Sequence, residues 1–449
     1  MSNRRTSIFT SQELGPASVT FTGLQVFRFL LAYVAGIVIA RALGPSNKGI
    51  YNLALLLPAL MTQLACWGQG SGQIYLLGRN REVLSRLLPS GLSLSLIFSL
   101  SGSVLYVVFA LTVLPIYFKE ARTLHILLAG LAVPFQISTG YLYSFLLGLK
   151  MPFQLGLVQS ARVGIYLLLL LLLVIGASYG ITGALIANLV GWIIGLAVIL
   201  LLLLRFARLR LGWDKKLVSD VVAFSSKSHI ANLLGFLSQR IALFLMGMFL
   251  APRQVGIYAL AVAISEILLF PTRSVATILF PEIASITDDR ARTQLTNRAA
   301  RITMLFTLVC AAVMQLIAHP LIMLLYGPPY AEAVLLLRIL LIGIVVRSLA
   351  AVLYGDLSGR GMPQKAIVGV SVSMVVSTAL CFLLIPRWGM IGASVASVAT
   401  QTASAVVGVI LYVRVTDAKF ADLVAVRGDD LRKVVDVFVK LLKQVVRPR

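Results

Sequence analysis

Near its start the chain reads Arg41-Ala-Leu-Gly-Pro-Ser-Asn-Lys-Gly-Ile-Tyr-Asn-Leu-Ala54, and farther on Phe249-Leu-Ala-Pro-Arg-Gln-Val-Gly-Ile-Tyr-Ala-Leu-Ala261. With Leu43 laid on Leu250, seven of the twelve positions through Ala54 and Ala261 are identical. Each copy lies between two long apolar runs. Gly44 and Pro45, and Pro252 in the second copy, read as the end of one helix, because glycine reaches the left-handed region and proline cannot continue the helix. Gly49-Ile-Tyr51 and Gly256-Ile-Tyr258 read as the opening of the next. The stretch is a helix hairpin, its turn and hinge residues are Gly44, Pro45, Gly49, Tyr51, Pro252, Gly256 and Tyr258, and the chain contains it twice.

The duplication extends along the chain. Gly148-Leu-Lys-Met-Pro152 matches Gly359-Arg-Gly-Met-Pro363 at an offset of 211, and Tyr143 matches Tyr354 at the same offset. Gly180-Ile-Thr-Gly-Ala184 matches Gly389-Met-Ile-Gly-Ala393 at 209. Three anchors in register point to two copies of one unit.

The residue types AVILMFWYC make up 59% of the 449 residues, and charged residues only 12%. Soluble domains carry about 25% charged residues, so the chain is a polytopic membrane protein. Twelve spans are expected, near 18–40, 50–77, 88–114, 124–148, 153–176, 181–205, 222–250, 256–282, 301–326, 333–358, 364–385 and 389–413. The Leu-rich run from Tyr166 to Ile175 is expected to face lipid. The net charge of +23 does not indicate nucleic acid, because its basic residues sit in short loops and the tail. With the N-terminus inside, inner segments hold 26 Lys and Arg and outer loops 6, so both termini are expected in the cytoplasm. Six spans per copy is even, so both copies insert the same way round, as a parallel repeat.

The expected organisation is an N-terminal lobe over 1–205, a basic linker over 206–221, a C-terminal lobe over 222–414 and a basic tail over 415–449. After Asp429 the tail patterns as an amphipathic helix for the inner leaflet, with Leu431, Val435, Phe438 and Leu442 on one face. No cleavable signal is read at the N-terminus. Cys66, Cys310 and Cys381 are scattered packing residues, and no His/Cys cluster suggests a metal. No cofactor is expected.

Six arginines fall inside spans: Arg28, Arg162, Arg240, Arg273, Arg338 and Arg347. Only two acids lie well inside them, Glu266 and Asp356. A charge inside the bilayer costs about 2.5–3.5 kcal/mol on insertion scales and faces a cavity or partner. The positive excess calls for an anionic substrate, because guanidinium groups suit bidentate phosphate binding. Arg28, Arg162, Arg240, Arg273 and Arg347 are the candidate substrate-binding residues, and Glu266 and Asp356 the candidates for ion coupling. Arg338, at the start of its span, can snorkel to the surface. Lys227 and His229 are weaker candidates at the mouth of span 7. The ring positions of Tyr51 and Tyr258 suit the headgroup level.

The motif Arg41-Ala-Leu-Gly-Pro-Ser-Asn-Lys-Gly-Ile-Tyr51 and its second copy resemble the signature of bacterial polysaccharide (O-antigen type) flippases. These are the polysaccharide transporter branch of the multidrug/oligosaccharidyl-lipid/polysaccharide exporter superfamily. The resemblance covers about residues 15 to 415. It implies an all-α fold of two six-helix lobes in a V, with a central cationic cavity that opens alternately to each side. It also implies an undecaprenyl-diphosphate-linked oligosaccharide as substrate, moved from the inner to the outer leaflet, with membrane lipids and a polysaccharide polymerase or chain-length machinery as partners. This chain departs from many relatives in carrying Gln239-Arg240 where they have an acid on span 7, which leaves Glu266 as the replacement. The competing readings are a lipid II-type flippase, a multidrug exporter of the same fold, and a membrane glycosyltransferase or polymerase. A drug exporter favours cavity acids, which are outnumbered here. Lipid II flippases usually have two further spans. An enzyme of those kinds usually needs a long outer loop, whereas the longest here is about ten residues around Lys119. No GxxxxGK loop exists for ATP.

Overall fold

The computed structural model of the protein describes residues 11–67, 70–117, 123–206, 209–272, 275–276, 279, 283, 286, 288–416 and 418–425, with the backbone alone at 11–22, 81, 113–117, 227–228 and 231. Arg273, the Lys119 loop and the tail helix expected beyond Asp429 lie outside the described residues. Among these residues there is no strand. Nine helical stretches are long and apolar enough to cross a membrane. Two of them hold two spans each. The helix α1 (Ser11–Ala65) is broken at Gly44, and α12 (Pro363–Thr416) at Gly389, where φ is 71° and 55°. The helix α9 (Pro252–Ile267) is the described part of one more span. The fold is therefore the all-α, twelve-span membrane fold expected.

Between these lie α2 (Ser71–Arg79), α3 (Leu84–Tyr117), α4 (Thr123–Leu131), α5 (Val133–Gly148), α6 (Pro152–Leu170), α7 (Gly180–Leu203) and α8 (Lys215–Phe249). Then follow α10 (Asp289–Leu325), α11 (Ala333–Gly359) and the short α13 (Phe420–Val424). A π-helical turn, Leu171–Gly176, ends span 5.

The repeat is written into the backbone at two anchors. Gly180 and Gly389, equivalent at offset 209, both take positive φ, 54° and 55°. Lys150 and Gly361, equivalent at offset 211, do so as well, at 59° and 81°. At the first anchor the copies differ. Gly44 takes positive φ, whereas its equivalent Ala251 is extended (φ −64°, ψ 149°).

Several expectations need correction. The second helix of each hairpin opens at proline, not at Gly-Ile-Tyr. Pro252 is in the first turn of α9, and helix resumes directly after the Gly44 break. Proline suits that position because its fixed φ fits a helix start and its missing N–H is not needed there. Gly49 and Gly256 consequently lie inside helices, buried. Span 2 is interrupted between Ala65 and Ser71, where Gly70 takes φ 74°. Span 4 is two helices, α4 and α5, parted at Ala132 with Pro134 starting the second. The segment expected as linker over 206–221 is already helical from Lys215.

The chain forms two compact units, Met1–Phe236 and Leu237–Arg449, with the division inside α8. In unit 1 one apolar cluster surrounds Tyr141, Phe145 and Leu203, and another packs the hairpin residues Ile39, Leu43 and Tyr51 against Leu170 and Leu185. In unit 2 Leu353, Tyr412 and Leu423 belong to one core. Large apolar side chains such as Leu111, Leu316 and Val375 are mostly exposed, as a lipid-facing surface requires. The Leu-rich run meets the lipid along one face only: Leu168, Leu172 and Ile175 are exposed, while Leu170 and Val174 are buried.

Candidate functional site

Unit 1 gathers two of the predicted arginines. Arg28 on α1 and Arg162 on α6 act electrostatically on one another and both on the hydroxyl of Tyr143 from α5. Gln25, one turn before Arg28, donates to Gln159, one turn before Arg162, at 3.1 Å, which pins the two helices in register. The Arg162 guanidinium lies 4.0 Å over the Trp192 ring, a cation–π contact. Its aliphatic stem runs along Gly195, where a Cβ would stand 3.2 Å from it. Gly191 and Gly195, one turn apart, thus leave α7 smooth enough for the arginine to lie flat. The Arg28 Nε and the Tyr143 hydroxyl are buried without a hydrogen-bond partner of good geometry among the described residues. The first six spans contain no Asp or Glu. The two cations therefore have no acid in these spans to neutralise them.

Unit 2 handles its charges differently. Arg347 on α11 stands 3.9 Å from Glu266 on α9, an ion pair longer than a direct hydrogen bond, with both side chains about a quarter exposed. Arg240 on α8 and Glu266 both act on the Tyr258 hydroxyl. Asp356 sits apart from this group. It is fully buried, and its oxygens accept from Arg360 Nε and Thr296 Oγ1, each at 2.7 Å. Arg360 also reaches Thr293 and Asp289. Arg338 is exposed. His229 stacks on Trp67 at 5.1 Å, a packing position rather than a ligand position.

The hairpin tyrosines are not at a headgroup level with their rings free. Both are buried and bonded: Tyr51 to Tyr166 at 2.7 Å, Tyr258 to Ser397 at 2.8 Å. Each also lies within electrostatic reach of its own unit's arginine, Arg162 for Tyr51 and Arg240 for Tyr258. The turn motif thus places one phenol beside each charged cluster. Sequence reasoning missed Trp192 and Tyr166 and did not assign Tyr143 to the site. The duplicated Tyr143/Tyr354 pair and the Gly191–Gly195 spacing around Trp192 were the available signals. Among the described residues no three His, Cys, Asp or Glu side chains cluster as metal ligands.

The profile of a family described as polysaccharide biosynthesis protein matches residues 38–335. No curated protein matches the chain significantly. Among solved structures it is similar to the lipid II flippase MurJ in an inward closed conformation. The TM-score is 0.75 at 14% identity, over 94% of this chain and 93% of that one. It is similar to an inward-facing multidrug resistance MATE transporter of the MOP superfamily, with TM-score 0.70 and 16% identity over 87% and 94%. A MOP superfamily transporter from Pyrococcus furiosus, described as having a binding pocket of reversed polarity, gives 0.60 at 15% identity over 90% and 95%. The chain belongs to the polysaccharide biosynthesis protein family and is built on the fold of the MOP superfamily transporters.

Proposed function

We propose that the protein flips an undecaprenyl-diphosphate-linked oligosaccharide from the inner to the outer leaflet of the cytoplasmic membrane by alternating access, for surface polysaccharide biosynthesis. Both termini are then cytoplasmic, as the Lys and Arg asymmetry requires. The observation that carries the reading is the Arg28–Arg162–Tyr143 cluster, two guanidinium groups and a buried phenol in spans that contain no acid. A diphosphate supplies the missing negative charge and accepts from Arg28 Nε and the Tyr143 hydroxyl. Arg240 and Arg347 are the second contact, and Glu266 competes with the substrate for Arg347. Protonation or ion binding at Glu266 would release Arg347, which gives Glu266 the coupling role. Asp356, already engaged by Arg360 and Thr296, is an anchor rather than a coupling group in this reading. The polymerase or chain-length machinery would take the product on the outer side.

The test is outer-leaflet appearance of a lipid-diphosphate oligosaccharide in vesicles holding the full chain. Arg28→Ala and Arg162→Ala should each slow it severalfold or more at limiting substrate. Wild-type rates in both variants overturn the proposal, and export of a cationic drug with no lipid-diphosphate transport points to the drug-exporter reading instead.

A further inference from the structure

A second cationic feature lies in unit 2, away from the transmembrane arginines. Where α10 begins, a cavity of about 1140 Å3 is lined by this helix, by Arg360, and by the segment that leads from the end of α12 into α13. Arg290, Gln294, Arg298 and Arg301 line it from one stripe of α10, at spacings of four and three. Arg301 is 5% exposed and its Nη1 donates to the Asp422 carbonyl at 2.6 Å, so α13 fixes this cation at the wall. Arg360 is held just as firmly by Asp356, Thr293 and Asp289. Arg290 and Arg298 are exposed, and among the described residues neither guanidinium makes a hydrogen bond or ion pair. Four arginines against Asp289 and Asp422 leave the lining positive. The helix terminus itself is already satisfied, because Asp288 accepts from the N–H groups of Arg290 and Ala291.

We propose that this cavity is an anion site for a phosphate group, carried on a lipid headgroup or free in solution. Two anchored guanidinium groups at the wall and two unengaged ones at the rim suit a tetrahedral dianion or a phosphodiester. The volume is ample for a phospholipid headgroup. On the orientation argued above, the cavity opens at the anionic inner leaflet, which makes phosphatidylglycerol the lipid probe. The site does not depend on what the transmembrane cluster carries.

The experiment uses the purified full chain in detergent and follows thermal unfolding on titration with phosphatidylglycerol, phosphatidylcholine or inorganic phosphate. Phosphatidylglycerol is expected to raise the Tm more than phosphatidylcholine does. The exposed pair Arg290→Gln/Arg298→Gln should weaken the apparent affinity at least fivefold without lowering the Tm of the lipid-free protein. A saturating shift from inorganic phosphate, with nothing added by the lipid, assigns the site to free phosphate. Arg79→Gln/Lys216→Gln, which removes the same charge from exposed positions of unit 1, should keep the wild-type response. No shift with either anion, or equal weakening in both double variants, overturns the proposal.

Discussion

In unit 1 the segment after α7 lies across the first turns of α3. Ser93 and the Gly212 backbone bond to each other in both directions, Ser90 accepts from the Asp214 N–H, and Gly212 packs on Pro89. Beneath it Phe145, Leu87 and Leu203 form a closed apolar plug. In unit 2 the segment after α12 runs to the first turns of α10, but the ground beneath is charged. At the positions equivalent to Phe145 and Leu149 stand Asp356 and Arg360, bonded to each other, and an arginine-lined cavity remains open. Within the membrane the contrast is reversed: unit 1 leaves Arg28 and Arg162 unopposed, whereas unit 2 sets Glu266 against Arg347. One ancestral unit has thus been put to two uses. The first meets its transmembrane arginines with rings and phenols and has no acid among its spans; the second sets an acid against one of its transmembrane arginines and lines an end cavity with four more.

The largest test of this contrast is at the buried pair. Asp356→Ala leaves the Arg360 guanidinium buried with one partner gone, and the loss should be about 3–5 kcal/mol, read as a fall in Tm of the purified protein. Asp356→Phe with Arg360→Leu installs the residue types of unit 1 and should recover much of that loss, since packed apolar replacements of buried ion pairs are often neutral. A double variant less stable than the single one breaks the equivalence. Next is transport. Arg28→Ala or Arg162→Ala should cost about 1.5–3 kcal/mol in substrate affinity, tenfold or more, and Arg347→Ala less, because Glu266 already holds part of its charge. Equal losses in initial flipping rate at limiting substrate would show that both units grip the substrate alike. Smaller still are the hairpin phenols: Tyr51→Phe and Tyr258→Phe should each lower stability by about 1 kcal/mol, and a larger change in transport for Tyr51 would tie it to Arg162. The smallest effect is a backbone swap. Lys150 carries a left-handed φ that Gly361 carries in the other unit, so Lys150→Gly should stabilise by about 0.5–1 kcal/mol and Gly361→Lys destabilise by a similar amount, both measured as Tm.

The sequence showed the duplication and the span count for one reason. Turns between spans need glycine or proline, and apolar length is set by the bilayer, so both leave marks in the residue string. Gly180 and Gly389 are the plainest case, equivalent in sequence and equal in φ. The breaks at Ala132 and between Ala65 and Ser71 carry such marks in Pro134 and Gly70, but both fall inside apolar stretches of span length, so hydropathy reads across them. The site was half legible. An excess of buried cations can be counted, but Arg28 and Arg162 are 134 residues apart, and only the packing of α1 on α6 shows that they meet. Asp356 and Arg360, one turn apart on one helix, were visible as a pair, yet counting Arg360 with the loops hid it.

The division of the chain inside α8 bears on how the protein is made. Unit 1 takes its final packing from residues that follow the sixth span. Trp67 donates its indole N–H to Ser226, Gly72 donates its amide to Ser225 and passes so close to Val221 that a side chain there would collide, and Tyr75 stacks on Phe224 at 4.5 Å. A nascent chain that has delivered only six spans to the insertion machinery therefore holds an unfinished first unit. The early turns of the seventh helix must emerge before that unit can close, so the first half matures while the second is being synthesised.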